Sequence, residues 1–382
     1  MKRPLHRPFS SSEPQPAAAT AWFLRKIIPA LLATPVLWPA LVLAQGPELQ
    51  SVDEAVAPYI DDETPGLGVL VMKGGEVIHM KGYGVADVAS GKKVDADSLF
   101  DLASLSKQMT ALVAMLQIRD GLYHGDTPVS KFLPVFAQTE FAGRAVTVGD
   151  LVHHLSGLTD YLSGDETLDY RAETTNAQVL EWLAKQPQDH AAGEKFDYSN
   201  SGYVALGSLV AAADKSYTLS EVLHARLWDQ LGMESTGLVR PAHPDRVVSG
   251  YKGGGGKFES SDDTTAMEGD GNVFTSLRDL ARYEHALARH ELWPEEATDE
   301  LFANGTYDNG KPIRDEEGNG YGFGWTVEEA DGEKYATHTG SWTGTATYYQ
   351  RNLTSGVTVI VLANNEDAGV VPLAEAIESA LN

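Results

Sequence analysis

The chain contains no cysteine among its 382 residues, which excludes disulfides, thiolate metal sites, a cysteine nucleophile and a lipid-modified N-terminal cysteine. Basic residues are scarce: 29 Lys and Arg stand against 54 Asp and Glu, a formal net charge of −25. That imbalance disfavours nucleic acid and anionic membrane surfaces as partners and favours solubility. No Gly-x-Ser-x-Gly occurs, so the strand-to-helix elbow that carries many hydrolase serines is missing. No His-Glu-x-x-His accompanies the adjacent His153 and His154, and neighbouring residues diverge on a helix, so the two read as hydrogen-bonded wall residues rather than a metal pair. The stretch DEEGNG at 315–320 lacks the ligand spacing of a calcium loop and reads as a solvated turn. No internal repeat is visible, and nothing in the sequence calls for a metal or a cofactor.

What is present begins with an address. Residues 1–44 join a basic, Ser/Pro-rich start to Arg25-Lys26 and the apolar run IIPALLATPVLWPALVLA, ending Val42-Leu43-Ala44. These features predict a signal peptide cleaved before Gln45, hence a periplasmic or secreted protein. An uncleaved membrane anchor is the competing reading, but Pro29, Pro35 and Pro39 would break a spanning helix repeatedly, so no stable membrane insertion is expected after cleavage. The absence of disulfides suits a bacterial periplasm. Residues 1–44 hold five Lys/Arg and one Glu, so the remainder carries (29 − 5) − (54 − 1) = −29.

The rest reads as helix, strands, helices, strands, helix. LQSVDEAVAPYIDD is a short amphipathic helix, and GLGVLVMKGGEVIHMKGYGVADV is two β-rich runs around Gly74-Gly75. From Ser104 to about Arg289 the signals are mostly helical; Met109, Leu112, Val113 and Leu116 recur at helical spacing and predict an amphipathic helix. The last eighty residues return to strands and close on VPLAEAIESALN. YKGGGGKFESSDD reads as a flexible loop. Strands at both ends with helices between them predict an α+β fold: one antiparallel sheet built from both termini, and a second, helical lobe inserted between them. A single domain is expected over 45–382, with the sheet lobe at about 45–105 and 290–382 and the helical lobe at about 106–289. A cleft between the lobes is the expected site.

Ser104 and Lys107 stand at i and i+3, one helix face apart, close enough for the amine to take the hydroxyl proton if its environment lowers the lysine pKa. The pattern alone is weak: Ser90 with Lys93 and Ser249 with Lys252 share it, but both lie in glycine-bearing sequence read as exposed loop. Ser104 instead stands where a β-rich segment meets a helix, whose free N–H groups suit an oxyanion. A plain helix N-cap would also account for a serine there. Tyr198 and Asn200, in YSN before a helix, bring a phenol and an amide together, although Tyr307 and Asn309 repeat that spacing. His338-Thr339-Gly340 sits at a strand end, the glycine allowing close approach to the backbone.

With these three motifs in this order, and with the stretches GYGVADVASGKKVDADSLFDLASLSKQMTA, DLVHHLSGLTDY and GDGNVFTSLRDLARY, the sequence resembles the serine β-lactamases, penicillin-binding D,D-peptidases and related D-aminopeptidases and esterases, the class C-like branch above all. The resemblance runs from about residue 50 to the C-terminus and implies a β-lactamase/transpeptidase-like fold. It implies Ser104 as nucleophile, Lys107 as the amine that activates it, and Tyr198 as the proton shuttle to the leaving group. It places Asn200 on the substrate amide or on Lys107, and His338, Thr339 and Gly340 along the substrate. The backbone N–H groups of Ser104 and Ser341 would form the oxyanion hole. The departure is His338, where lactamases usually have lysine: an ordinary imidazole, with pKa about 6.5, is mostly neutral at pH 7 and a poor holder of a substrate carboxylate.

The expected function is therefore an acyl-enzyme serine hydrolase of the D,D-carboxypeptidase or D-aminopeptidase type, acting on a small peptide such as a peptidoglycan stem, with β-lactams as further candidate ligands. A carboxylesterase of the same fold is the first alternative. A non-catalytic muropeptide-binding protein is the second, and the intact Ser104, Lys107, Tyr198 and His338 count against it.

Overall fold

The computed structural model describes residues 47–163, 168, 174–215, 218–239, 243–261 and 265–381. The expected signal segment, 1–44, lies outside the described residues, so neither it nor the compartment is addressed by the fold. Among the described residues no helix is long and apolar enough to cross a membrane.

Hairpins build the frame. Gly74 and Gly75 take φ of +54° and +82°, the left-handed pair that a two-residue hairpin turn needs, and join β1 (Leu67–Lys73) to β2 (Glu76–Tyr83). Near the other end of the chain lie β3 (Gly320–Tyr321), β4 (Thr326–Ala330), β5 (Glu333–Trp342), β6 (Thr345–Asn352) and β7 (Val357–Ala363). They form one sheet in the order β3-β4-β5-β6-β7-β1-β2, antiparallel throughout. The β1–β7 pairing, from Leu67 opposite Ala363 to Lys73 opposite Val357, closes the two ends of the chain into that sheet.

Five helices frame the sheet and the site: α1 (Pro47–Val56), α2 (Ser106–Arg119), α3 (Asn200–Ala213), α4 (Leu277–Arg289) and α5 (Val370–Leu381). β1 and β7 read as nearly continuous apolar runs because both faces are covered. Val69, Val71, Val359 and Val361 pack under Val52 and Val56 of α1 and Leu373, Ala374 and Ile377 of α5. Leu70, Met72, Ile360 and Leu362 turn the other way, into the larger core with Leu277 and Leu280 of α4. Each such side chain contributes roughly 1.5–3 kcal/mol by leaving water.

Two expectations need correcting. The helix after Ser104 is not amphipathic: every residue from Ser106 to Met115 is buried, because α2 runs through the middle of the molecule with α3 against it. YKGGGGKFESS is not a loop: Tyr251–Gly254 and Lys257–Ser260 pair as a β-hairpin whose turn the glycines supply. The last helix of the central stretch, α4, lies on the sheet. Its Glu284 accepts hydrogen bonds from Tyr349 of β6 (2.6 Å) and Thr358 of β7 (3.0 Å) and pairs with Arg351 of β6 (3.0 Å).

Candidate active site

Ser104 occupies a single 3-10 turn, Ala103–Leu105, between the short strand Phe100–Asp101 and α2. It is not the helix N-cap, a place taken by Leu105 without any side-chain cap. The turn is held against local preference: Ala103 has φ +47°, left-handed and rare for a residue with a Cβ. Its N–H donates to Asp101 Oδ1 (2.8 Å). Leu102 N–H donates to Val273 O (2.9 Å), and Thr347 Oγ1 of β6 donates to Leu102 O (2.9 Å).

One turn on, Lys107 is completely buried. Its Nζ lies 2.8 Å from Asn200 Oδ1, 2.8 Å from the backbone oxygen of Asp270 and 3.2 Å from Ser104 Oγ. The first two partners are carbonyls and only accept, so two N–H bonds point at them. The third tetrahedral direction faces Oγ, the line along which an amine and a hydroxyl can exchange a proton. The 269–273 stretch that brings Asp270 here is fixed to α2 by Thr110 Oγ1 donating to Gly269 O (2.8 Å) and Val273 N–H donating to Ser106 Oγ (3.1 Å).

Tyr198 and Asn200 flank Ser199, the N-cap of α3, whose Oγ accepts the Gly202 N–H at 3.0 Å. The cap turns the chain so that the Asn200 amide reaches Lys107 while the Tyr198 ring, 38% exposed, faces the cleft. Lys107 Nζ lies 5.0 Å from the centre of that ring.

His338, Thr339 and Gly340 lie inside β5 rather than at its end. His338 is buried, its Nδ1 2.6 Å from Thr339 O and its Nε2 3.0 Å from Tyr321 OH. A carbonyl only accepts, so Nδ1 carries the proton and Nε2 takes the phenol's hydrogen bond. Burial, and then the charge of Lys107, push the imidazole pKa down to about 4. With both nitrogens engaged and the ring neutral, His338 offers no cation to a substrate carboxylate. Thr339 and Ser341 line the cleft. Gly340 does not line it: a Cβ there would overlap Thr347 Oγ1 and Leu102 O, so this glycine lets β5 lie flat against the turn that carries Ser104. Ser104 and Ser341, whose backbone N–H groups are the expected oxyanion donors, both line the same cavity.

The cleft has a volume of about 760 Å³. Sequence reasoning missed most of its charge. Asp101, Asp197, Asp270, Asp315, Glu316 and Glu317 line it, against Lys195 and Arg314; Lys195 is paired with Asp197 at 3.3 Å. DEEGNG is a turn as expected, but one on the cleft's rim. Burial raises the Asp101 carboxyl to about 6 and raises that of Asp270 as well, the latter accepting a bond from Tyr161 OH at 2.7 Å. The glycine-flanked Asp270 in EGDGN was the available signal for that stretch. Of the other serine–lysine spacings, Ser90, Lys93 and Lys252 are exposed and none lies in the cleft. His153 and His154 have separate partners, Tyr321 O and the Ser199 N–H, and among the described residues no group of three His, Asp or Glu could hold a metal ion.

The sequence matches the beta-lactamase family over residues 52–381. Penicillin-binding protein 4* of Bacillus subtilis (strain 168) is 26% identical over 323 residues, 78% of this chain and 68% of that protein. The D-aminopeptidase of Cereibacter sphaeroides (strain ATCC 17029 / ATH 2.4.9) is 26% identical over 311 residues, 79% of this chain but 57% of the relative, so the chain spans little more than half its length. In three dimensions EstCE1, described as a hydrolase with promiscuous acyltransferase activity, superposes with a TM-score of 0.72 at 19% identity, over 87% of this chain and 98% of that one, a likeness of fold.

Proposed function

Because this chain belongs to the beta-lactamase family, we propose that it is an exported serine hydrolase whose acyl-enzyme forms on Ser104 and whose substrates are D-amino-acid amides or peptides with a free amine. The observation that carries the chemistry is Lys107, whose two carbonyl partners leave its third direction to Ser104 Oγ at 3.2 Å. In the forward step Oγ attacks the substrate carbonyl carbon and its proton passes to Nζ. The oxyanion is held by the N–H groups of Ser104 and Ser341. Tyr198 protonates the leaving nitrogen, the C–N bond breaks, and water, deprotonated through Tyr198 and Lys107, cleaves the ester.

Charge supports the substrate class. Six carboxyl groups against two cationic side chains, one already paired, favour an ammonium over a carboxylate in this cleft. The neutral, fully bonded His338 removes the grip that a D,D-carboxypeptidase or a β-lactamase would use. The D-aminopeptidase relative is in keeping with this. A carboxylesterase remains the second reading, favoured by the aromatic wall of Phe196, Tyr321 and Trp342. Export to the periplasm or beyond is supported by the sequence of residues 1–44.

The test compares D-alanine p-nitroanilide, its N-acetyl derivative, p-nitrophenyl butyrate and an N-acylated D-Ala-D-Ala peptide. The free amine should exceed its acetylated form in kcat/KM by about tenfold or more, the worth of one retained charge pair, and Ser104→Ala should abolish turnover. Faster release of D-alanine from the N-acylated dipeptide would reverse the assignment, and activity on the butyrate alone would establish the esterase.

A further inference from the structure

Three consecutive residues, Asp197, Tyr198 and Ser199, are gripped by one side chain and its backbone. His154 O accepts the Asp197 N–H at 2.9 Å. The imidazole Nδ1 accepts the Ser199 N–H at 3.0 Å. The ring lies 4.3 Å from the Tyr198 ring at an interplanar angle of 32°. Tyr198 is the most exposed of the proposed catalytic side chains, and its phenol must be aimed by what lies beneath it.

His154 is itself over-determined. It is buried and adopts a left-handed φ of +55°, an arrangement a histidine keeps only when its surroundings hold it. Behind it lie Tyr203 (4.9 Å between ring centres) and, edge on, Tyr321 (4.7 Å) and Phe196 (5.8 Å). The chain before it is anchored by Asp150, which closes a capping box with Thr147 and pairs with Arg144 at 2.6 Å. Because a backbone N–H donates to Nδ1, the ring's proton must sit on Nε2, which has no hydrogen-bond partner among the described residues. Protonation would destroy the Nδ1 acceptor. Burial first, and then the charge of Lys107, push the imidazole pKa well below its ordinary value and hold the ring neutral.

We propose that His154 is the positioning residue for Tyr198: by clamping the backbone on both sides of the tyrosine and stacking on its ring, it aims the phenol at the leaving group. The inference rests on the reading of Tyr198 as the leaving-group acid, and it makes a prediction that a structural role alone does not. Expulsion of an amine requires that acid, whereas p-nitrophenolate leaves unprotonated. Loss of His154 should therefore slow amide turnover and spare ester acylation.

Two variants divide the clamp. His154→Asn keeps an acceptor for the Ser199 N–H and loses the ring; His154→Phe keeps the ring and loses the acceptor. With active sites counted by the p-nitrophenyl butyrate burst, each should lower kcat for D-alanine p-nitroanilide by about 10- to 100-fold, with KM and the burst rate constant within threefold of the parent. In a Tyr198→Phe background the same substitutions should cost less than about twofold further. Equal losses on amide and ester, or undiminished losses in the Tyr198→Phe background, would overturn the proposal. So would failure of both variants to give folded, titratable protein, which would assign His154 to stability. If Tyr198→Phe alone left amide turnover intact, the reading of Tyr198 would fall independently of any His154 result.

Discussion

His338 illustrates how far a residue's chemistry depends on its neighbours. From sequence it is an ordinary imidazole, mostly neutral at pH 7; in the structure its Nε2 takes the Tyr321 hydroxyl and its pKa is pushed down to about 4. Depression below the ordinary value of about 6.5 means that the unfolded chain binds a proton the folded one refuses. The stability this contributes is complete above pH 6.5 and is lost as pH falls through 4, an effect on the order of 3 kcal/mol. Asp101 acts in the opposite sense. Its carboxyl, raised to about 6, is protonated in the folded state where the unfolded one is ionised, so it costs stability as pH rises from about 4 to 6. Thermal midpoints between pH 4 and 6.5 should accordingly rise less steeply in His338→Gln and more steeply in Asp101→Asn than in the parent. Parallel slopes in all three would contradict both assignments. Ser104, Lys107, Tyr198 and Asn200 were picked out by the order of three motifs shared with the family the sequence resembles, since their spacings recur elsewhere in the chain; the structure brings Lys107 beside Ser104 and Asn200. The acceptor from Asp270, the bond from Tyr321 and the clamp of His154 were not legible in the sequence, since each joins segments that only the fold brings together.

Among the elements, β5 is the one on which the proposed oxyanion hole depends. In the proposed mechanism it must lie close enough to the Ala103–Leu105 turn for Ser341 and Ser104 to share an oxyanion, and Gly340 is what permits the approach. Gly340→Ala places a methyl against Leu102 O and Thr347 Oγ1, backbone on one side and a bonded hydroxyl on the other. Something must shift, and overpacking of this kind costs about 1–3 kcal/mol. The variant should fold, melt lower and lose at least about tenfold in kcat through displacement of the oxyanion donors; a variant with unchanged kcat would mean that β5 does not set this geometry. The hairpin β1–β2 and the strands of the C-terminal third were readable from alternation and from Gly74-Gly75. The character of α2 was not. Its apolar residues recur at helical spacing, but Ser106, Gln108 and Thr110 are buried too, bonded across to the 269–273 stretch in two of three cases, so polarity failed to mark an exposed face.

At the scale of the molecule, the sheet is shared by both ends of the chain, which is how a long central stretch can be inserted and still deliver residues to one cleft. Lys107 and Asn200 come from α2 and α3, Asp270 from the stretch before α4, and His338 and Ser341 from β5. That topology was visible in the alternation of strand-rich and helix-rich segments; the family is shown by the match over 52–381. The cleft's acidity was hidden because overall negative charge says nothing about where the carboxylates gather. What unites the scales is one claim, that Ser104 becomes acylated because Lys107 takes its proton. The most direct test is mass spectrometry of the protein quenched during turnover of p-nitrophenyl butyrate, followed by peptide mapping. The expected result is one butyryl group on the peptide that carries Ser104, absent in Ser104→Ala and accumulating at least about a hundredfold more slowly in Lys107→Met. An adduct on any other residue, or turnover undiminished in Ser104→Ala, would contradict the account.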